Sequence, residues 1–161
     1  MKKVLNKYRE FARYIDKDIK IKKGYTSWST IPLYKQIEIP QIASFESEQL
    51  FLQDIKKRLP QNKKDLIDIL PNYTWSFLHE VGHIQCNHIQ ESTIVRIIAD
   101  FLGSLGLTKI ANLIYFKLKE ERQATDWAIN YVLNNFDIVA KFTIELEKTY
   151  KRYYKTLGII E

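Results

Sequence analysis

The pentapeptide His79-Glu80-Val81-Gly82-His83 constrains the fold of this chain more than any other stretch of its sequence. Residues four apart in an α-helix lie one turn apart on the same face, so a helix would let both histidines reach one metal ion. Glu80 projects about 100° round from His79, which suits it to take a proton from a water molecule beside that ion. Imidazole nitrogen is a good ligand for a borderline cation such as zinc. The motif therefore predicts a helix that carries two metal ligands and a catalytic base.

The residues that flank the motif indicate a buried helix. Apolar side chains surround it, namely Trp75, Phe77, Leu78 and Val81. Burying two imidazoles and a carboxylate without partners would be costly, and two of the three histidines of the chain lie in this motif. We therefore interpret the pair as metal ligands, with hydrogen-bonded core histidines as the alternative.

Length and composition are those of an ordinary globular protein. With 161 residues, 45% hydrophobic and 27% charged, the chain is expected to form one domain over residues 1–161. The net charge of +6 permits an acidic partner. No run of basic residues is dense enough to predict a dedicated surface for nucleic acid, so direct nucleic-acid binding is not expected.

Cysteine usage and the charge pattern predict a cytoplasmic protein without a membrane span. Cys86 is the only cysteine, so no intramolecular disulfide can form, and we interpret it as a small buried side chain rather than a ligand. Lysines interrupt the first residues before any apolar stretch of signal-peptide length. Arg96, Asp100 and Lys109 interrupt the most apolar region, which excludes a transmembrane helix there.

Hydrophobic periodicity predicts a mostly helical α+β chain with one small sheet. Isoleucines alternate with charged residues around Ile21 and Ile37, as in half-buried strands, and residues 24–28 form the predicted loop between them. The predicted helices run from Val4 to about Ile19, from Ser47 to Leu59, from Gln61 to Leu70, from Asn72 as N-cap to about Asn87, from Ser92 to about Leu105, from Thr108 to about Asn134, and from Asp137 to Gly158.

A catalytic zinc site usually has three protein ligands, and the predicted helix from Thr108 to Asn134 offers a third. At about 100° per residue, an apolar stripe runs along this helix, and Glu121 falls inside it. A carboxylate on the face turned to the core needs a strong partner, which a divalent metal ion supplies. The other members of the stripe are Leu107, Ile110, Ile114, Leu118, Thr125, Ala128 and Val132.

Three other side chains compete with Glu121 for this role. His88 follows His83 by five residues rather than the six of the H-E-x-x-H-x-x-G-x-x-H pattern, and no glycine stands between them, so it does not fit as a ligand. Glu120 projects among aromatic and aliphatic side chains and is the reserve candidate. Asp126 lies on the polar face of the predicted helix, which indicates a surface carboxylate.

The two segments together resemble the ImmA/IrrE metallopeptidases. The pentapeptide is similar to that family's H-E-[LI]-G-H motif, and E-R-Q-A-T-D-W-A at residues 121–128 is similar to its E-x-E-A-[ND]-x-F-A motif. The resemblance covers roughly residues 74–133, within a motif core of about 72–133, and implies a zincin-like fold. It implies zinc as the cofactor, with Mn²⁺ as the alternative ion. It also implies His79, His83 and Glu121 as the metal ligands, and Glu80 as the catalytic glutamate.

Three positions depart from the family's second motif. Gln123 replaces a glutamate, Trp127 replaces a phenylalanine, and Thr125 replaces the Asp or Asn that orients a liganding histidine. His88 resembles a histidine often found just after the first motif, where it is not needed as a ligand. We expect His88 and Thr125 to act beside the ligands or on the transition state. Oxyanion stabilisation has four candidates, for three of which packing is the simpler role: His88, Tyr73, Tyr115 and Tyr131.

The resemblance implies a cytoplasmic zinc endopeptidase that cleaves one partner protein. In such a family the partner is typically a helix-turn-helix repressor encoded beside the peptidase, in phage, mobile-element or stress-response circuits. The alternative is a metallopeptidase-like module that sequesters a repressor or toxin without cutting it, which the changes at Gln123 and Thr125 favour. Direct binding to nucleic acid is a third hypothesis, and it predicts an affinity that falls steeply with salt.

Overall fold

The computed structural model describes residues 1–25, 27–41, 45–88, 93–115, 117–156 and 158. The chain is mostly helical with one small sheet in these ranges, which confirms the predicted α+β class. The helices are α1 (Lys2–Ile15), α2 (Phe45–Arg58), α3 (Leu66–Ile69), α4 (Asn72–Gln85), α5 (Thr93–Ser104), α6 (Thr108–Tyr115), α7 (Lys119–Asn134) and α8 (Phe136–Thr156). The strands are β1 (Lys20–Lys23), β2 (Ser29–Ile31) and β3 (Gln36–Ile39).

The three strands form a sheet in the order β1-β3-β2. Strands β1 and β3 are parallel, with Ile21 opposite Ile37, whereas β2 runs antiparallel to β3 with Thr30 opposite the same Ile37. The alternation around Ile21 and Ile37 therefore predicted two strands correctly. The described residues of the 24–28 loop bear out the predicted connection, and Thr26 lies outside the described residues. Strand β2 lies at the edge of the sheet and packs against α4.

An aromatic cluster joins α1, α4 and α8 in the core. The rings of Phe11 and Phe142 stack at 4.1 Å between centroids, and Tyr8 packs against Phe77 at 4.9 Å. All four side chains are buried. Aromatic pairs of this kind add about 0.5–1.5 kcal/mol each beyond the area they bury, so this cluster fixes α4 against the rest of the fold.

Two predicted helix boundaries were wrong for local reasons. Helix α1 ends at Ile15 rather than near Ile19, because Asp16 is extended and its carboxylate accepts the backbone N–H of Asp18. At the start of α4, Asn72 is the first helical residue and not the N-cap. The N-cap is Pro71, whose carbonyl oxygen accepts the N–H of Thr74.

The predicted helix from Thr108 to Asn134 is in fact two helices, α6 and α7. At the break, the N–H groups of Lys117 and Leu118 bond to the carbonyl oxygens three residues before them, and Leu118 is the N-cap of α7. No glycine or proline marks this turn in the sequence. The apolar stripe predicted along the helix from Thr108 to Asn134 was therefore drawn across the break. The segment predicted as a helix from Gln61 to Leu70 likewise divides, into a 3-10 turn and the single-turn helix α3. Ser92, the predicted start of α5, lies outside the described residues.

Helices α5 and α6 form a hairpin that carries several exposed apolar side chains. Leu107 and Ile110, predicted to face the core, are exposed because the two helices pack mainly against each other. Gly106 turns the chain between them with a φ of +78°, a conformation that glycine adopts without steric cost. Among the described residues, no helix combines the length and the apolar character that crossing a bilayer requires. Of the side chains that the structure describes in this hairpin, the large apolar ones that are exposed are Ile97, Ile98, Phe101, Leu105, Leu107 and Ile110.

Candidate metal centre

Three buried side chains from α4 and α7 converge on one point. The Nε2 atom of His79 lies 3.2 Å from Nε2 of His83 and 3.0 Å from Oε2 of Glu121. His83 Nε2 lies 3.4 Å from Oε1 of the same carboxylate. Within the described ranges this is the one group of His, Cys, Asp or Glu side chains arranged so that it could hold a metal ion. The structure therefore brings together the three residues that the sequence predicted as ligands.

The separations suit a small tetrahedral ion. Nitrogen and oxygen ligands bind zinc at about 2.0–2.2 Å, so neighbouring ligand atoms at tetrahedral angles lie about 3.3 Å apart. The three measured separations, 3.0, 3.2 and 3.4 Å, bracket that value. The two nitrogen atoms and the carboxylate therefore fit the zinc ion that the motif resemblance implies.

Gly82 explains how α4 and α7 approach closely enough to form this site. A Cβ atom on Gly82 would lie 2.5 Å from the carbonyl oxygen of Ala124 and 2.9 Å from its Cα atom. Both are backbone atoms, so a larger residue would force the helices apart. Glu121 lies three residues before Ala124 on α7, and His79 and His83 flank Gly82 on α4. The glycine of the motif is therefore required by helix packing.

Thr125 fixes the orientation of the His79 imidazole. Its hydroxyl donates to the backbone carbonyl oxygen of Glu121 at 2.8 Å, so its oxygen can only accept a further hydrogen bond. His79 Nδ1 lies 3.1 Å from that oxygen and donates to it. The Nε2 atom of His79 therefore faces the cluster. Thr125 therefore contacts a predicted ligand from the position where the motif that it resembles has an Asp or Asn, with a hydroxyl in place of a carboxylate or amide.

His88 is buried beside the cluster without being part of it. Its Nδ1 atom lies 3.0 Å from Nδ1 of His83, and its Nε2 atom lies 3.1 Å from Oε1 of Gln123. Burial lowers the pKa of His88, which favours its neutral form. Protein groups engage both ring nitrogens, so neither is available to stabilise an oxyanion. Of the two roles expected for His88, the structure supports the one beside the ligands.

The charge of Glu121 calls for a cation at the centre of the group. Burial raises the pKa of this carboxyl, but the imidazoles of His79 and His83 outweigh burial and hold that pKa well below its usual range. The side chain is only 2% exposed. A buried carboxylate that remains ionised needs a positive partner, and a metal ion held by all three side chains would be such a partner.

Glu80, the predicted catalytic base, is half-buried and held by the sheet. The hydroxyl of Thr30 in β2 donates to its carboxylate through Oε2 and lies 3.3 Å from its backbone carbonyl oxygen. This contact joins residues 50 apart in sequence. It fixes the carboxylate on the side of α4 that packs against the edge strand.

Sequence patterns gave no signal for Thr30 or for Phe51. Thr30 is one of several hydroxyl residues before β3, and only the folded sheet brings it to Glu80. Phe51 packs edge-on against the imidazole of His79, with ring centroids 5.0 Å apart. In the sequence it is one apolar position among many in α2.

The competing candidates lie outside the cluster. Asp126 forms an ion pair with Arg58 at 3.0 Å and is largely exposed, as the polar face predicted. Glu120 is half-buried and does not join the group. The Sγ atom of Cys86 lies 3.8 Å from the carbonyl oxygen of Gln123, away from the three ligand atoms.

Tyr73 and Tyr131, both suggested for the oxyanion, pack against other aromatic rings. Tyr73 packs against Tyr150 at 4.9 Å between ring centroids, and Tyr131 stacks on Trp127 at 5.0 Å. Tyr115 is half-buried at the end of α6. The ring contacts of Tyr73 and Tyr131 agree with the packing role.

No protein-family model, no curated protein and no solved structure matches this chain. The chemistry of the site is therefore inferred from its own residues and their geometry.

Proposed function

We propose that this protein is a zinc-dependent endopeptidase that cleaves one partner protein, as the resemblance of its two motifs to the ImmA/IrrE metallopeptidases implies. The observation that carries the proposal is the convergence of His79, His83 and Glu121 within 3.4 Å, with Glu80 adjacent to the first ligand. Two imidazoles and one carboxylate are a ligand set of catalytic zinc sites, which leave one coordination position open. Zinc is preferred over Mn²⁺ because two of the three ligands are nitrogen.

Different residues of the chain would have different roles in the hydrolysis of a peptide bond. A bound zinc ion supplies Lewis acidity towards a carbonyl oxygen and makes water more acidic. Glu80 accepts the proton of the attacking water and returns it to the leaving amine. Thr30 orients the Glu80 carboxylate, and Thr125 orients His79. This division predicts that the loss of Glu80 abolishes hydrolysis without loss of metal.

The free edge of β2 supports a polypeptide substrate. Among the residues that the structure describes, strand β2 pairs with β3 alone, so its other edge presents backbone N–H and C=O groups that an extended peptide can pair with. Thr30 in this strand contacts Glu80. A peptide added at this edge would lie beside the strand that carries Thr30, and therefore near Glu80.

A helix-turn-helix repressor is the partner that the motif resemblance implies. The exposed apolar side chains of the α5–α6 hairpin, such as Ile97 and Phe101, support binding of a protein rather than of a small polar molecule. The alternative of a non-cleaving module rested on Thr125 and Gln123. Each has a hydrogen-bonding partner among the site imidazoles, so neither change argues against activity.

The test uses the zinc-loaded full chain and, as substrate, the helix-turn-helix repressor that the proposal expects to be encoded beside this gene. Glu80→Gln keeps the size and the hydrogen-bonding oxygen of the side chain but cannot act as a base. We expect defined fragments with the wild type and a rate about 10²–10⁴-fold lower with Glu80→Gln. Mass spectrometry of the new termini would identify the cleaved bond, and zinc content would be measured in parallel.

The outcomes separate the hypotheses. An intact repressor that binds stoichiometrically to both wild type and Glu80→Gln would replace the endopeptidase with the sequestering module. Equal cleavage by both forms would show a contaminating protease and remove the support for Glu80 as the base.

A further inference from the structure

A cleft between α1 and β1, the α1–β1 cleft, is lined mainly by basic side chains. Its volume is about 850 Å³. Lys and Arg supply six of its eleven lining residues, and Asp18 is the single acidic one among those that the structure describes. The basic residues are Arg9 and Arg13 of α1, Lys17 in the turn that follows, Lys20 and Lys22 of β1, and Lys35 just before β3.

Helix and strand periodicity place these cations in two rows. Arg9 and Arg13 are one turn apart, which is about 6 Å along α1. Lys20 and Lys22 lie on one face of β1, about 7 Å apart, whereas Ile21 between them is buried. Arg9 Nη2 donates to the carbonyl oxygen of Ile21 at 3.2 Å. This hydrogen bond joins the row on α1 to the row on β1.

Among the described residues, ion pairs balance little of this positive charge. Lys35 pairs with Asp16 at 2.8 Å and with Asp18 at 3.6 Å, so the nearby carboxylates act on that one lysine. A cleft lined by charges of one sign focuses the electrostatic potential and attracts a ligand of the opposite sign. The basic residues of the cleft that are exposed and form no ion pair with any described residue are Arg13, Lys17, Lys20 and Lys22.

The shape of the cleft and the ring of Tyr34 favour one class of polyanion, single-stranded nucleic acid. A bilayer surface is flat and would meet protruding cations rather than the inside of a cleft. A duplex is stiff over this length, whereas a single strand can bend into a concave surface. Tyr34 also lines the cleft and is 61% exposed, and the bases of single strands stack on such rings beside cations. An acidic peptide would match the cations but has no base for the ring.

We propose that the α1–β1 cleft binds single-stranded nucleic acid, with its cations on the phosphates and Tyr34 stacked on a base. The expectation against nucleic acid considered only runs of adjacent basic residues, whereas the fold collects these cations from residues 9–35. The lining of the cleft includes neither Glu80 nor any residue of the metal centre. The proposal therefore does not depend on the proposed endopeptidase activity.

The test is fluorescence anisotropy of the full chain with a labelled oligothymidylate of about 12 nucleotides, and with an oligouridylate of the same length as the RNA arm. For single strands, the logarithm of the affinity falls with the logarithm of the salt concentration by about 0.7 per phosphate contact. The four exposed cations predict a slope of about −3. The double variant Lys20→Gln, Lys22→Gln should reduce it to about −1.5 and weaken binding about 10–30-fold at 0.1 M salt.

Matched variants separate the cleft from net charge. The double variant Lys56→Gln, Lys57→Gln removes the same charge from exposed positions on α2 that do not line the cleft. It should change the affinity much less. The double variant Arg13→Gln, Lys17→Gln is a second probe of the cleft itself and should act like the variant in β1. Thermal unfolding would show that each variant is folded.

Variants of Tyr34 test the stacking contact separately from the phosphate contacts. Tyr34→Ala should weaken binding about fivefold or more and leave the salt slope unchanged, because no charge is lost. Tyr34→Phe keeps the ring and should bind like the wild type. Equal affinities of the Ala and Phe variants would remove the stacking role.

Four outcomes would overturn the proposal. Binding of neither oligonucleotide would do so, as would equal losses from the variants in the cleft and on α2, since binding would then follow net charge alone. Equal affinity for a duplex of the same length would exclude selection of a single strand. Tighter binding of labelled polyglutamate than of either oligonucleotide would replace nucleic acid with an acidic polypeptide. The assay uses no protein substrate, so failure of the endopeptidase hypothesis would appear separately, in the cleavage assay.

Discussion

The α4–α7 helix pair and the α5–α6 hairpin use their side chains in opposite ways. In the first region His79, His83 and Glu121 are polar and buried, and each has partners at 3.0–3.4 Å. In the second region Phe101 and Leu105 are apolar and exposed. Burial of polar groups without partners would be costly. The packing of α4 against α7 must therefore keep each of these polar side chains within reach of its partners. Phe101 and Leu105 lie outside the core, where they could contact a partner.

The same comparison holds for the glycines of the two regions. Gly82 on α4 faces backbone atoms of Ala124 that leave no room for a Cβ atom, whereas nothing lies within 4 Å of a Cβ placed on Gly103 in α5. Close packing in one region and open space in the other predict that matched substitutions will have unequal effects.

The largest difference is expected between two leucines. Leu78 is 0% exposed in α4, and Leu105 is 58% exposed after α5. Leu78→Ala should lower the free energy of unfolding by about 2–5 kcal/mol because it leaves a cavity in the core. Leu105→Ala should change it by about 0.5 kcal/mol or less. Urea denaturation of the two variants measures both values, and equal losses would show that the hairpin is part of the core.

The two glycines should differ in sign as well as in size. Gly82→Ala should cost about 1–3 kcal/mol of unfolding free energy through overpacking, and it should weaken zinc binding because it separates α4 from α7. Gly103→Ala should be neutral or stabilise by up to about 1 kcal/mol, since alanine favours a helix more than glycine does. Thermal unfolding and a zinc titration test this pair, and a neutral Gly82→Ala would contradict the close approach.

Substitution of Thr125 should affect the metal centre more than the fold. Thr125→Val keeps the shape of the side chain and removes the acceptor for His79 Nδ1, so zinc affinity should fall about 10–100-fold. Thr125→Ser keeps the hydroxyl and should stay close to the wild type. Competition with a chromophoric zinc chelator measures the affinities. Equal affinities of the Val and Ser variants would show that the hydroxyl has no orienting role.

The smallest effect is expected at Thr30. Thr30→Val removes the hydrogen bond to the Glu80 carboxylate, and the loss of about 1.4 kcal/mol of positioning would slow cleavage about tenfold. Zinc affinity should not change, because Thr30 does not contact a ligand. Thr30→Ser is the matched control that keeps the hydroxyl. A fall in zinc affinity with an unchanged cleavage rate would contradict this role.

The sequence predicted the convergence of His79, His83 and Glu121 because most of the information that it requires is local. The pair His79 and His83 needs only one helical turn, and Glu121 was found by its place in an apolar stripe. That stripe was nevertheless drawn over a helix that ends at Tyr115. Glu121 was still buried as predicted because residues 121–132, which carry the stripe around it, all lie within the single helix α7.

Burial and long-range contacts were not predictable in the same way. Leu107 and Ile110 belong to an apolar face, but periodicity does not show whether another element of the chain covers that face. Thr30 reaches Glu80 only because β2 lies at the edge of the sheet and packs against α4. Such a contact depends on tertiary packing, which no local pattern in residues 20–40 records.

The most direct test of the central claim compares two adjacent glutamates. Glu121 belongs to the converging group, and Glu120, one residue earlier on α7, does not. Zinc bound per chain would be measured after dialysis for the wild type, Glu121→Gln and Glu120→Gln. We predict one zinc ion per chain for the wild type and for Glu120→Gln, and loss of zinc from Glu121→Gln. Full zinc content in Glu121→Gln, or none in the wild type, would contradict a metal centre built from His79, His83 and Glu121.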